Sequence, residues 1–204
     1  MKADGTEVKY SLTETVFKKS ITPLPEENRI AELKELYNIL NSKDAPVSLA
    51  KVKAHETSTS FKLSITPVGS QRQPVNETEL LEAVKYDIFL TLRSNSSTDS
   101  TSVSRALHHG LVWLHKKGWI HGDIRWPNVL VGSQGWFLVD FENASKSGDA
   151  GADWGQLGKM ITNWSLWGSE SQELSTFVNE RLLLKTSSHR EPMKSVRSDA
   201  WLFQ

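Results

Sequence analysis

Apolar residues recur at strand and helix spacings along this chain, and the kinds of element they predict change after the first third. Short alternating stretches over 13–18, 47–52 and 61–65 predict strands. Between the first two, apolar residues three and four positions apart over 25–40 predict a helix. Pro25, followed by two acidic residues, suits the start of that helix. The first part of the chain is therefore predicted to be a mixed unit of strands and one helix.

The rest of the chain has a more helical pattern. Apolar stripes over 77–92 and 102–118 predict two helices, and the Ser/Thr-rich run between them is typical of a solvated loop. Two short apolar stretches, 128–131 and 136–139, are joined by the tetrapeptide Gly-Ser-Gln-Gly, which predicts a β-hairpin. The sequence after this hairpin is again mostly helical in pattern.

Composition and charge narrow the possible classes of protein. The chain has 204 residues, 38% of them hydrophobic, with 24 acidic and 24 basic side chains, which is typical of one soluble globular domain. Zero net charge provides no global field, so we expect neither a nucleic-acid nor a membrane partner. The absence of cysteine excludes disulfides, thiolate metal sites and cysteine nucleophiles.

The N-terminal sequence bears on localisation. It has no apolar stretch of the kind found in a signal peptide, and nowhere does the chain approach the roughly 20 apolar residues that span a bilayer. We therefore expect a cytoplasmic or nuclear protein, an expectation that a further N-terminal segment would change.

Three polar side chains in and beside the predicted hairpin suggest chemistry. Asp123 and Asn128 lie in a loop closed by Pro127, and Asp140 follows the second strand of the hairpin. Because a hairpin brings its two ends together, we expect these three side chains to be neighbours. Carboxylate and amide oxygens suit Mg²⁺, and a second carboxylate can accept a proton from a hydroxyl group. This arrangement fits phosphoryl transfer.

The same segment resembles a known superfamily. H-G-D-I-R-W-P-N, which ends at Asn128, resembles the catalytic loop H-R-D-x-x-x-x-N of protein-kinase-like proteins, and D-F-E, which starts at Asp140, resembles their D-F-G motif. The resemblance implies that Asp123 is the catalytic base and that Arg125 stands where a lysine touches the transferred phosphate. It also implies that Asn128 and Asp140 hold Mg²⁺.

Earlier residues extend the resemblance in the expected order. V-F-K, which ends at Lys18, resembles the V-A-I-K strand, so Lys18 would contact the phosphates of ATP. The helix that follows would supply the glutamate that pairs with this lysine; Glu35 and Glu32 both qualify, and Glu35 is preferred. The segment around Pro67 and Val68 would be the hinge whose backbone groups bind adenine.

The implied fold is α+β. It is a bilobal protein-kinase-like fold with a reduced β-rich N-lobe at 1–69 and a truncated helical C-lobe at 70–204. D-W-G-Q-L-G, which starts at Asp153, resembles the start of a C-lobe helix whose aspartate braces the catalytic loop. The motif I-R-W-P-N-V, together with D-F-E, resembles fungal-type and crinkler-type effector protein kinases more closely than ordinary signalling kinases.

Several departures from the pattern keep three functions open. Gly122 replaces the arginine of H-R-D, and Glu142 replaces the glycine of D-F-G. No G-x-G-x-x-G precedes Lys18, and the interval from Asp140 to Asp153 leaves no room for a long activation segment.

The leading hypothesis is a phosphotransferase that uses ATP and Mg²⁺ to phosphorylate Ser/Thr hydroxyls of proteins. The absence of a glycine-rich loop favours a pseudokinase or nucleotide-dependent scaffold as one alternative. The short interval after the D-F-E motif favours the other alternative, a small-molecule phosphotransferase similar to aminoglycoside and choline kinases.

Overall fold

The computed structural model describes residues 6–84 and 107–164, together with Gln172 and Thr176. The first part of the chain forms a four-stranded antiparallel sheet in the order β1-β2-β4-β3. Its strands are β1 (Glu7–Leu12), β2 (Phe17–Thr22), β3 (Lys51–Glu56) and β4 (Phe61–Thr66).

Helix α1 (Glu27–Leu40) lies between β2 and β3 in the chain and packs beside β3. Its buried residues recur at intervals of three, three, one and three, as the helical periodicity predicts. They are Ile30, Leu33, Leu36, Tyr37 and Leu40. Because all five are uncharged, the face of α1 that packs into the protein carries no carboxylate.

The second part contains three described helices and a small sheet. The helices are α2 (Glu77–Val84), α3 (Leu107–Lys116) and α4 (Ala150–Thr162). The sheet has the order β5-β6-β7, with strands β5 (Ser70–Gln71), β6 (Val129–Gly132) and β7 (Gly135–Leu138).

The predicted hairpin is confirmed, because β6 and β7 pair in antiparallel register with Val129 opposite Leu138. The helices predicted over 77–92 and 102–118 are present at 77–84 and 107–116, and their remaining residues at 85–92 and 102–106 lie outside the described residues.

Two predicted strands are displaced. The stretch 13–18 contains the turn between β1 and β2, in which the backbone N–H of Thr13 donates to the carbonyl of Val16 at 3.0 Å. The stretch 47–52 is divided, because its first residues bond to β7 rather than to the large sheet. Leu138 N–H donates to Ser48 at 2.8 Å, and Ala50 N–H donates to Leu138 at 2.9 Å. This segment therefore joins the two parts of the fold.

A single apolar core runs through both parts. Side chains with 0–2% exposure come from α1, the large sheet, α2, α3, α4, the hairpin and the segments that connect them. They include Leu36, Leu49, Phe61, Leu80, Leu111, Trp119, Phe137 and Phe141. A β-rich unit with one helix thus packs on a helical unit, and the α+β fold is confirmed. None of the helices in the described residues is long and apolar enough to cross a membrane.

Candidate active site

The loop of residues 121–128 connects α3 to the hairpin and ends in a short 3₁₀ turn at Trp126–Asn128. Within it, the side-chain amide of Asn128 donates to the Asp123 carboxylate and to the Asp123 carbonyl, both at 2.9 Å. Arg125 Nε lies 3.1 Å from the same carboxylate, and the Arg125 side chain is 57% exposed. The structure therefore brings Asp123, Asn128 and Arg125 together in one loop.

Asp153, at the start of α4, braces this loop. Its buried carboxylate accepts the backbone N–H groups of His121 and Gly122 at 2.8 Å each, and lies 2.8 Å from His115 Nε2. Burial alone would raise the Asp153 pKa, but these hydrogen bonds hold the pKa below its ordinary value. The next turn of α4 adds Gln156, which accepts the Ile124 N–H at 2.6 Å.

The backbone at Gly122 explains why arginine does not stand there. Gly122 has φ +79°, in the left-handed region that favours glycine. A Cβ added to it would lie 2.8 Å from the carbonyl oxygen of Asn143. A side chain here would therefore strain the loop and push away the segment after the D-F-E motif.

The hairpin places Asp140 beside the loop. Val139 N–H donates to the Asn128 carbonyl at 3.0 Å, and His121 Nε2 lies 3.0 Å from the Val139 carbonyl. The rings of His121 and Phe141 pack with centroids 4.9 Å apart. Asp140 itself has φ 66°, a left-handed conformation that non-glycine residues adopt rarely. The site thus holds Asp140 in a conformation that its own backbone does not favour.

The donor set fits the small, hard cation predicted from the sequence. Asn128 uses its amide nitrogen on Asp123, which leaves its Oδ1 as a ligand, and Asp140 contributes a carboxylate beyond the end of β7. No group of three or more His, Cys, Asp or Glu side chains that could hold a metal occurs in the described residues. Mg²⁺ characteristically takes one or two protein ligands and completes its shell with water and phosphate.

The lysine that reaches this site is Lys19, one residue after the predicted Lys18. Lys19 Nζ pairs with Asp140 at 3.1 Å and with the Glu142 carboxylate, and its side chain is only 10% exposed. Lys18 is exposed and points to the opposite face of β2. The sequence contained the relevant signal, since V-F-K-K from Val16 aligns residue for residue with V-A-I-K and places lysine at Lys19.

Lys19, Asp140 and Glu142 shift one another's pKa values. Burial, then the hydrogen bond to Asp140 and the charge of Asp140, together raise the pKa of Glu142 to about 8, against the lowering effect of Lys19. Burial acts in the same direction on Asp140, but its hydrogen bond with Glu142 and its pairing with Lys19 hold its pKa below the ordinary value. Burial alone would lower the Lys19 pKa, but the carboxylates of Glu142 and Asp140 raise it overall.

Glu35 does not meet the lysine. Its two carboxylate oxygens accept from Lys146 Nζ at 2.6 and 2.7 Å, and its side chain is half exposed. Tyr37 of α1 feels the charges of this cluster, and its hydroxyl is buried without a hydrogen-bond partner among the described residues. Burial raises the Tyr37 pKa most, and the nearby charges of Glu142 and Asp140 add to this effect.

The predicted hinge connects β4 to β5 and lies against the hairpin. A Cβ added to Gly69 would lie 2.8 Å from the Val131 carbonyl, so this segment approaches β6 closely. Pro67 and Val68 are partly buried just before this contact. Their backbone therefore runs along the boundary between the two parts of the fold, where the prediction placed it.

An exposed apolar strip on β1 was missed by the sequence reasoning. Tyr10 and Leu12 are 62% and 66% exposed, and the Tyr10 ring stacks on Phe17 with centroids 5.7 Å apart. Lys19 Nζ lies 6.0 Å from the centre of the Tyr10 ring, so the strip is on the same face of the sheet as Lys19. Alternation of Val8, Tyr10 and Leu12 along β1 is the sequence signal that marks it.

These elements define a protein-kinase-like fold, and solved structures share it. The autoinhibited serine kinase domain of the giant muscle protein titin matches with a TM-score of 0.57 and 14% identity, over 100% of this chain and 81% of that chain. Monomeric WbdD matches with a TM-score of 0.56 and 17% identity, over 89% of this chain and 44% of that one.

The sequence is similar to a crinkler-type effector. Crinkler effector protein 8 of Phytophthora infestans is 29% identical over 148 residues, which cover 72% of this chain. The match spans 20% of that relative's length. No protein-family model matches the chain. The chain thus has a protein-kinase-like fold and resembles crinkler-type effectors, as its motifs predicted.

Proposed function

We propose that this chain is an ATP- and Mg²⁺-dependent phosphotransferase that phosphorylates Ser/Thr hydroxyls of proteins. One observation carries the proposal. Groups from one loop, from the end of the hairpin and from the large sheet converge in one place: Asp123 with Asn128, Asp140, and the largely buried Lys19. Bound Mg²⁺ would neutralise charge on the phosphates of ATP, and Asn128 and Asp140 would hold it.

The residues of this chain would act as follows. Lys19 is buried, positively charged and directed at Asp140, so it would hold the phosphates next to the metal ligands. The Asp123 carboxylate would accept the proton of the acceptor hydroxyl as that oxygen bonds to the γ-phosphorus and the bond from phosphorus to the leaving ADP breaks. Arg125 lies beside Asp123 and is exposed, so its guanidinium is free to approach the transferred group.

The adenine would lie against the apolar strip. Tyr10, Leu12 and Phe17 face the same side of the sheet as Lys19, and two of them are exposed although they are large and apolar. An aromatic and aliphatic surface of this kind suits a flat heteroaromatic ring. The backbone of Pro67 and Val68 would bind the edge of that ring.

The test is transfer of radiolabel from ATP to a generic protein substrate or to the chain itself. Replacing Asp123 by Asn keeps the shape of the side chain and removes the base, so we expect the rate to fall by about 10²–10⁴-fold. The matched control is Asp44→Asn, because Asp44 is an exposed aspartate whose ion pair is with Lys117 and not with any residue of the site. Equal labelling by the Asp123 variant and the wild type would refute this mechanism.

A small-molecule phosphotransferase is the second candidate, and one observation favours it. After Asp140 the chain forms only a short 3₁₀ turn, Phe141–Asn143, and a bridge between Ser145 and Ile120 before α4 begins. No extended platform for a peptide lies in this segment. ATP consumption measured against amines, alcohols and peptides separates the two candidates, and turnover confined to small alcohols or amines would replace the protein substrate.

Nucleotide binding without transfer would identify a pseudokinase or scaffold. Thermal unfolding with ATP, in the presence and absence of Mg²⁺, measures binding without requiring turnover. We expect stabilisation by ATP that increases with Mg²⁺. Stabilisation without any detectable transfer would favour the pseudokinase.

A further inference from the structure

We propose that Glu142, the last residue of D-F-E, is the carboxylate that positions Lys19 for phosphate binding, in place of any glutamate of α1. The inference deepens the proposed function and rests on it. Lys19 Nζ contacts the Glu142 carboxylate directly, and the Glu142 side chain is only 20% exposed. The interaction is therefore shielded from water, where a charge-assisted contact is strongest.

The glutamates of α1 are engaged elsewhere or face outward. Glu35 binds Lys146, and Glu32 binds Arg29 at 2.8 Å. Glu27 lies in the first turn of α1 and is exposed. The buried face of α1 is uncharged throughout. Helix α1 therefore offers no carboxylate to Lys19.

Helix α1 instead contacts the backbone of the segment that carries Glu142. The Arg29 guanidinium donates to the carbonyls of Glu142 at 2.5 Å and of Ala144 at 2.7 Å. The Arg29 side chain is only 27% exposed, so these bonds are partly protected from water. Arg29 thus fixes the backbone from which the Glu142 side chain extends toward Lys19.

This arrangement couples the position of Lys19 to the D-F-E segment rather than to α1. Glu142 is two residues from Asp140, so the group that positions the lysine and the predicted metal ligand belong to one short segment. A displacement of α1 would reach the pair between Lys19 and Glu142 only through the backbone contacts of Arg29, because α1 supplies no carboxylate to the pair itself. The rival role for Glu142 is that of an additional metal ligand beside Asp140, and the experiments below distinguish the two.

The first experiment is independent of nucleotide. The rate at which an amine-acylating reagent modifies Lys19 is followed by mass spectrometry in the wild type and in two variants, Glu142→Gln and Glu35→Gln. The Lys19 amine is only 10% exposed and held in contact with Glu142, so weakening that contact should free it for the reagent and increase the rate at Lys19 by about tenfold in Glu142→Gln. Glu35→Gln should leave the rate at the wild-type value.

Two controls complete that experiment. Glu56→Gln removes an exposed carboxylate that pairs with Lys34 at 2.6 Å, and it should not change the labelling of Lys19. Glu142→Asp retains a carboxyl group on a shorter side chain and should restore part of the protection. A rate at Lys19 that increases in Glu35→Gln and stays constant in Glu142→Gln would overturn the inference.

The second experiment separates positioning of the lysine from metal binding. If Glu142 positions Lys19, Glu142→Gln should weaken ATP binding about tenfold at saturating Mg²⁺ and leave the Mg²⁺ concentration for half-maximal binding unchanged. A raised Mg²⁺ requirement with unchanged ATP affinity at saturation would make Glu142 a metal ligand and overturn the inference. Failure of the wild type to bind any nucleotide would count against the proposed function, and the labelling of Lys19 would still decide the pairing with Glu142.

Discussion

Replacing Asp153 by Asn should destabilise the fold more than any other isosteric change near the site. Asp153 is completely buried and its two carboxylate oxygens accept the backbone N–H groups of His121 and Gly122. The asparagine side chain has one acceptor oxygen, and its NH₂ group would face a backbone N–H that needs an acceptor. One of the two backbone donors would therefore be left buried and unpaired.

The size of this effect follows from the number of hydrogen bonds lost. A hydrogen bond to a charged group contributes about 1.5–3 kcal/mol, and an unpaired buried N–H costs about 1–3 kcal/mol. Asparagine retains only the bonds that its single acceptor oxygen can make, and these are weaker because the group is uncharged. We therefore expect a loss of about 3 kcal/mol in the free energy of unfolding, a large fraction of the 5–15 kcal/mol typical of a domain.

The assay is urea denaturation of Asp153→Asn beside a matched control, Asp149→Asn. Asp149 caps the same helix by accepting the Gly151 N–H at 2.8 Å, and asparagine caps a helix as well as aspartate does. The control should therefore change the free energy of unfolding by less than about 0.5 kcal/mol. A loss below about 1 kcal/mol in Asp153→Asn would refute the bracing role, because losing a hydrogen bond to a buried carboxylate should lower the free energy of unfolding by more than that.

The wild type and Asp153→Asn also differ in how their stability depends on pH, and the direction of this difference can be predicted. The Asp153 pKa is lowered in the folded protein, so its carboxylate contributes stability above the unfolded-state pKa of about 3.9. That contribution is lost as the pH falls through the folded-state pKa. The difference in unfolding free energy between the wild type and Asp153→Asn should therefore be constant near neutral pH and shrink in acid. A difference that grows in acid would contradict the assignment.

Three further substitutions test other contacts. Gly122→Ala should cost about 2 kcal/mol in urea denaturation, because it combines a left-handed backbone with a Cβ 2.8 Å from the Asn143 carbonyl; an unchanged midpoint would contradict this. Arg29→Met should accelerate amide hydrogen exchange around 142–144 by releasing two carbonyls, and unchanged exchange there would show that the contacts of Arg29 are dispensable. Trp126→Phe removes the indole N–H that donates to the Met160 carbonyl at 2.9 Å, so it should lower the free energy of unfolding by about 1–2 kcal/mol in thermal unfolding. An unchanged free energy of unfolding would show that water replaces this donor.

The arrangement of the loop 121–128 and the hairpin was predictable because its geometry is local. Asp123 and Asn128 are five residues apart in one loop, and a short hairpin returns the chain to place Asp140 beside them. Few other conformations are compatible with two apolar strands joined by a four-residue polar turn. Spacing within this short stretch therefore determined proximity, and the placement followed without knowledge of the rest of the fold.

The lysine was misplaced because strand patterns are sensitive to a shift of one residue. Successive side chains of a strand point to opposite faces, so moving the strand by one position exchanges Lys18 for Lys19 at the site. Hydrophobicity could not settle the register, since two adjacent lysines contribute equally to either face. Pairing in the sheet does settle it, because Lys19 lies opposite the buried Leu63 and Lys18 lies opposite Ser64.

The partner of Glu35 could not be predicted from the sequence at all. Lys146 is far from Glu35 in the chain, and their contact depends on how α1 packs against the segment after D-F-E. On the helix itself, Glu32 and Glu35 are equally plausible, because both lie away from the apolar stripe. Helical periodicity identifies the buried face well, but it does not distinguish one exposed carboxylate from its neighbours.

The segment 140–146 shows why this fold does not require an arginine at position 122. Lys19 binds the side chains of Asp140 and Glu142, Arg29 binds the backbone of the same segment, and Lys146 extends from it to α1. These contacts join the segment to both the large sheet and the helix. The carbonyl of Asn143 lies where a Cβ at position 122 would be placed, so the segment and a side chain there exclude each other. The chain holds the D-F-E region through lysine and arginine side chains supplied by other elements, and glycine at 122 is what permits the close approach.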